Sequence, residues 1–266
     1  MRPCCKSFFL FSFFFLPFVL FSKIIEAESI SDLEKYIDPK NLVVFDIDNT
    51  LMEPTQVLGS DQWFQNLINE YIVSGMGKQD AIELAVAEWT AVQSITQVKL
   101  VEDHADQVVG KFQKQGFTVM GLTTRGLGLS IRTVQQLQSL NVDMLHSAPV
   151  HHDVFFHNTR GCLFRGGILF TAATHKGRAL FRLFERIDYH PKSVIFINDK
   201  YSNLREVEET CEERGIPFIG LRYGYLDNKV KNFRKDLAEI QFEHFGYILS
   251  DTDAEKILKD RKGRNS

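Results

Sequence analysis

Val43-Val44-Phe45-Asp46-Ile47-Asp48-Asn49-Thr50 is an apolar run that ends in two carboxylates one residue apart, then a turn-forming Asn and a hydroxyl. Residues 42–45 have the length and β-branched content of a buried parallel strand. Polar side chains enter only where the strand stops. In open α/β sheets that edge, outside the carboxyl ends of the strands, is where ligands bind. Two acidic groups at one strand tip repel each other and need a compensating cation, so a divalent metal is the natural partner. The plain alternative is an Asx-turn with two solvated carboxylates; the rest of the chain decides between them.

Downstream, residues 117–122, 193–197 and 216–221 read as further buried strands, the last shortened by Pro217. Helical spacing of apolar residues marks 104–115, 127–140, 176–187 and 204–214. Residues 29–36 read as a short lead-in helix, and 161–170 as a β-hairpin or flap. Alternating strand and helix predicts an α/β fold: a three-layer, Rossmann-like core around a parallel sheet. Two more helical patterns, from Trp63 and from Gln79, are separated by Gly75 and Gly77 and form an insertion after the first strand. The expected division is a core of residues 28–52 and 101–250, a small helical cap of 53–100, and a charged flexible tail of 251–266. The insertion is either a lid over the strand tip or a pair of helices that simply cover the sheet.

With 44% apolar and 24% charged residues, the 266-residue chain has the makings of an ordinary globular core. Its net charge of −3 gives no electrostatic ground for nucleic-acid binding. The N-terminus is basic and then nearly all Phe, Leu and Val over residues 8–21. That run is short for a membrane span and suits a signal peptide of residues 1–27, cleaved after Ala27. An uncleaved anchor is one alternative, and only then is a membrane a partner; a buried N-terminal strand or helix is the other. Beyond the leader, Cys162 and Cys211 allow one disulfide or two buried thiols. His151 and His152 are adjacent, but no third ligand is placed for a zinc site.

The 46–50 segment resembles the DxDxT motif of the haloacid dehalogenase (HAD) superfamily. "GLTTRG", "KGRAL" and "FINDKYSNL" follow in the order of that family's other motifs, so the resemblance covers roughly residues 40–225. The wording of these segments is also similar to a group of exported HAD-like proteins of undefined function from intracellular bacteria. The resemblance implies that Asp46 is a nucleophile and Asp48 a general acid/base. It implies that Thr123, with Thr124 competing, and Lys176 hold a phosphoryl group, and that Mg²⁺ is bound by Asp46, Asp48 (through its backbone carbonyl) and Asp199. Arg125 could reach a substrate anion; a helix cap at Thr124 would explain the same cluster without function. Asn198 and Asn203 stand where such proteins usually carry Asp or Gly and then Asp. Asn203 still offers an oxygen to the metal. The expected activity is hydrolysis of a small phosphomonoester outside the cytoplasm, periplasmic or secreted. A secreted binding or effector module with weak or no catalysis is the alternative. Neither the ester nor the oligomeric state is written in the sequence.

Overall fold

The computed structural model describes residues 22–39, 41–244, 246 and 248–264. The described residues open with strand β1 (Ser22–Ala27) and a short 3-10 helix, Ile30–Lys35, capped by Ser29. β2 (Asn41–Phe45) is buried throughout. The insertion follows: β3 (Met52–Pro54), α1 (Asp61–Val73), α2 (Lys78–Ile95) and β4 (Val98–Leu100). The chain then runs through α3 (Ala105–Lys114), β5 (Thr118–Thr123) and α4 (Ser130–Gln138). Next come β6 (Val154–Asn158), β7 (Arg160–Arg165), β8 (Ile168–Phe170) and α5 (Lys176–Ile187). β9 (Ser193–Asn198), α6 (Tyr201–Glu213) and β10 (Phe218–Tyr223) complete the sheet. α7 (Asp227–Lys231), α8 (Lys235–Glu243) and α9 (Asp251–Arg264) close the chain.

The eight-stranded sheet has the order β1-β10-β9-β2-β5-β8-β7-β6. All neighbours from β1 to β8 in that order are parallel, and β8, β7 and β6 form an antiparallel meander at one side. The fold is therefore a mostly parallel sheet flanked by helices, as the alternation of patterns predicts. The 161–170 hairpin is part of the sheet itself. Alternate residues of β2 face opposite ways. Val43 and Phe45 enter one core with Val109, Phe112 and Leu137. Leu42 and Val44 enter the other with Leu180, Phe184, Leu204 and Val207. Each such fully buried side chain contributes on the order of 1.5–3 kcal/mol. Register then sets the site: Phe45 lies opposite Gly121 of β5 and Ile197 of β9, so three strands end at one edge.

Regular structure reaches into both segments set apart at the chain ends. The signal peptide expected over residues 1–27 overlaps the edge strand Ser22–Ala27, which pairs residue for residue with β10. Removal of these six residues would strip that strand and the Gly224 N–H to Ala27 O bond (2.9 Å). Lys23 and Glu26 break the apolar run without breaking the strand. The Phe-rich run of 8–21 lies outside the described residues. Among those that are described, no helix is long and apolar enough to cross a membrane.

The supposed tail is the helix α9. Its charge conceals an apolar stripe: Ala254, Ile257 and Leu258 pack with Leu237 and Ile240 of α8. The Ser250 hydroxyl accepts from Asp253 N–H (3.1 Å) and caps it. Both C-terminal helices join the insertion. β3 and β4 form its antiparallel stem, and above them Leu58, Trp63, Leu67, Ala85 and Val92 share a core with Ala238 of α8. The Trp63 and Phe242 rings are 5.4 Å apart. Leu58 N–H donates to Gln241 Oε1 (2.8 Å) and Val57 N–H to Asp251 Oδ1 (3.1 Å).

The cysteines resolve to the second option. Cys162 and Cys211 are free and fully buried, and burial pushes both thiols up. Neither position is expected to take up iodoacetamide in the native protein, and both should react once it unfolds. Mass spectrometry of peptides carrying residues 162 and 211 reads this directly; a disulfide-linked pair in the native digest would contradict it.

Candidate active site

Asp46 follows the last residue of β2, and its N–H donates to Ile197 O of β9 (3.0 Å), which ties the turn to the sheet. Ile47 O then receives N–H bonds from Thr50, Leu51 and Met52, winding the chain into a tight loop. Asn49 takes the left-handed conformation the loop needs (φ 58°), one that Asn tolerates better than most residues. The result holds Asp46 buried and leaves Asp48 half-buried.

Lys176, the first residue of α5, is 1% exposed. Its Nζ donates to Asp46 Oδ1 (2.7 Å) and to Leu122 O (3.1 Å). An ammonium has three protons, so one remains. Burial pushes the Asp46 carboxyl up, Lys176 pulls it back, and the nearby Asp48 pushes again; the net direction is up. Asp199, just past β9, is pushed up to about 7 by burial and then by the charge of Asp46. Asn49 Nδ2 donates to it at 3.3 Å.

Arg125 is where the structure departs most from the sequence reading. Its guanidinium is buried and does not wait for a substrate anion. Nε donates to Asp48 Oδ2 (2.8 Å) and Nη2 to Asp48 Oδ1 (2.7 Å). Its other donors go to Thr133 (3.0 Å), Gln136 (2.8 Å) and Gln93 of α2 (3.3 Å). Both oxygens of Asp48 are thus occupied, and its side chain is withdrawn from the metal set. Only its backbone carbonyl could serve there.

Asp46, Asp48, Thr124, Arg125, Asp199 and Asn203 line one cavity of about 190 Å³. Thr123 lies below its wall, 1% exposed, and its hydroxyl accepts from Arg125 N–H (3.1 Å). Among the described residues that hydroxyl's own proton has no acceptor. Asn203, in the first turn of α6, donates to Asn198 Oδ1 (3.4 Å).

Several further residues line the cavity. Lys200 pairs with Asp61 at the start of α1 (2.8 Å), joining core to insertion. Burial pulls the Lys200 ammonium down, but Asp61 and Asp199 more than offset it. Phe64, Val86 and Trp89 come from α1 and α2, and Arg160 from β7. Ala172 and Ala173 are both left-handed (φ 50° and 57°), a conformation that costs a non-glycine residue on the order of 1–2 kcal/mol. Their N–H groups follow the backbone of Arg125 and Thr124 (3.2 and 2.9 Å), which fixes the wall opposite the insertion.

Among the described residues no three His, Cys, Asp or Glu side chains converge to hold a metal unaided. The donors at the cavity are oxygens: the Asp46 and Asp199 carboxylates, the Asp48 carbonyl and the Asn203 amide. Burial and the charge of Asp46 push the Asp199 carboxyl up, so a cation beside it would relieve that repulsion. That chemistry fits a hard cation such as Mg²⁺, which completes its shell with water and substrate oxygens.

Residues 26–255 match the family described as protein of unknown function (DUF2608). The chain belongs to this family. The DUF2608 match takes in β2, the insertion and every residue of the cavity. A Chlamydia pneumoniae protein named as a candidate outer membrane protein is 27% identical over 255 residues, 95% of this chain and 96% of its own. A Chlamydia trachomatis protein of the same name is 25% identical over 226 residues, 85% of each chain. The solved structure of a haloacid dehalogenase-like hydrolase from Streptococcus pneumoniae is similar with a TM-score of 0.42 and 12% identity; 69% of this chain and 95% of that one are covered.

Proposed function

We propose that the cavity hydrolyses a small phosphomonoester by way of a phosphoryl group carried on Asp46, in a protein exported from the cytoplasm. One observation carries this reading: a buried carboxylate at the tip of the central strand, gripped on one oxygen by Lys176 at 2.7 Å, in the same cavity as a second buried carboxylate, Asp199. Asp46 Oδ1 is held, so Oδ2 is the attacking atom. It forms a bond to phosphorus as the ester P–O bond breaks, splitting one difficult displacement into two easier ones. The remaining proton of Lys176 and the hydroxyls of Thr123 and Thr124 serve the phosphoryl oxygens. Mg²⁺ held by Asp46, the Asp48 carbonyl, Asp199 and Asn203 would offset the charge between carboxylate and phosphoryl group. Asp48 supplies a proton to the leaving oxygen and takes one from the water that attacks phosphorus next. That attack breaks the bond to Asp46 and restores its carboxylate. The names of the chlamydial relatives support an exported placement.

The Asp48–Arg125 clamp favours a second reading, a binding module of low turnover, because Asp48 must give up one of two hydrogen bonds to carry a proton. Acid quenching of the full chain during turnover of phenyl phosphate separates the two. A hydroxylamine-labile phosphate on residue 46 is the expected result, and EDTA should stop phosphate release until Mg²⁺ is restored. Label on another residue, or no release at any Mg²⁺ concentration, would sink the hydrolase.

A further inference from the structure

We infer that the ester is an aryl phosphomonoester with a second anionic group, its ring against Phe64 and Trp89 and its distal charge on Arg160. This rests on the phosphatase reading and narrows it to a substrate class.

The insertion brings apolar side chains to a cavity whose floor is charged: Phe64, Val86 and Trp89 line it together with Asp46 and Asp48. Trp89 is fixed on three sides. Its Nε1 donates to Gly59 O (3.0 Å), its ring lies 6.0 Å from that of Phe64, and Arg125 sits 5.2 Å from its centroid. A ring already immobilised loses little entropy when a flat ligand stacks on it. Arg125 is also the clamp of Asp48, so the aromatic wall stands beside the reacting groups.

The cavity, about 190 Å³, is smaller than the roughly 300–1,000 Å³ usual for ligand pockets. It has room for a phosphoryl group and a single ring. Two of its lining cations are already paired, Arg125 with Asp48 and Lys200 with Asp61, and Lys176 behind it is held by Asp46. Arg160 is exposed, and among the described residues its guanidinium has no ion-pair or hydrogen-bond partner. A planar fork of this kind matches a carboxylate or phosphate.

The clamp on Asp48 points the same way. A phenolic oxygen, with a pKa of about 10 as in tyrosine, leaves with far less help from a proton than an alkoxide. An acid held on both oxygens by Arg125 is therefore better matched to an aryl ester than to a sugar or glycerol phosphate.

The test uses the full chain with Mg²⁺. 4-Carboxyphenyl phosphate should exceed phenyl phosphate by about 10-fold in kcat/KM, and phenyl phosphate should exceed glycerol 2-phosphate by about 100-fold, in line with stacking and ion-pair energies of about 1–3 kcal/mol. Arg160→Ala should bring the carboxyphenyl-to-phenyl ratio to about one. Trp89→Ala should shrink the phenyl-to-glycerol ratio by about 10-fold or more, with Trp89→Phe restoring most of it. Binding is read separately, by calorimetry with benzylphosphonate and ethylphosphonate. The first should bind at least about 10-fold more tightly. Equal rates across the esters with equal phosphonate affinities would overturn the inference while leaving the hydrolase standing. No release from any ester, with benzylphosphonate still preferred, would overturn the hydrolase and uphold the ligand class.

Discussion

Asp46→Asn is expected to lower phosphate release from phenyl phosphate by at least about 10⁴-fold, because the attacking atom is gone and nothing adjacent replaces it. Asp48 cannot substitute, since Arg125 holds both its oxygens. Asp199 cannot either, since in the proposed chemistry it is spent on the cation. The fold should survive. The amide oxygen of Asn still accepts from Lys176. The lost charge pairing, which would otherwise leave a costly lone ammonium, is offset by relief of the Asp46–Asp199 repulsion. That relief has its own signature. Asp46 is the second largest cause, after burial, that pushes Asp199 up to about 7. In the variant the Asp199 carboxyl should titrate lower, which carboxylate NMR can follow. Residual turnover above a thousandth of the parent, with circular dichroism unchanged, would remove Asp46 from the chemistry.

Gly177→Ala should cost about 3 kcal/mol or more, at the top of the range for overpacking. A Cβ built there falls 2.1 Å from Glu206 O and 2.3 Å from Thr210 Oγ1. The first obstacle is backbone of α6 and cannot rotate away. α5 and α6 bury Leu180, Phe184, Leu204 and Val207 in one core, so forcing them apart opens it. The shift also reaches the chemistry, because Lys176 N–H is anchored to Glu206 Oε2 at 2.6 Å. Activity should fall even at temperatures where the variant remains folded. Gly110→Ala is the matched control: nothing lies within 4 Å of its Cβ, and α3 should gain about 0.5–1 kcal/mol. Urea denaturation of the pair measures both; equal midpoints would show that the α5–α6 contact is softer than its geometry.

The strands that carry Asp46, Thr123 and Asp199 were legible because each is a short apolar run with polar residues only at its carboxyl end. A parallel sheet aligns such ends at one edge. What stayed hidden depends on pairing between distant segments. Arg125 reads as a free cation until α2 supplies Gln93 and α4 supplies Gln136. Asp61 and Lys200 are each unremarkable until α1 is folded against the core. β1 was lost beside the Phe-rich run that precedes it, and α9 behind its charges. The aromatic wall could be seen as helical spacing at Phe64 and Trp89, but not as the side that faces a cavity.

The junction of the insertion with the last two helices limits how a substrate gets in. Gln241 and Asp251 grip the backbone at Leu58 and Val57, and Phe242 lies against Trp63. The insertion cannot swing on its two-stranded stem alone; it must drag α8 and α9 with it or break these bonds. Admission is then a property of the insertion and of α8 and α9 together. A bulky appendage beyond residue 264, or a partner that seizes α9, would act as a brake on a gate more than 150 residues away in sequence.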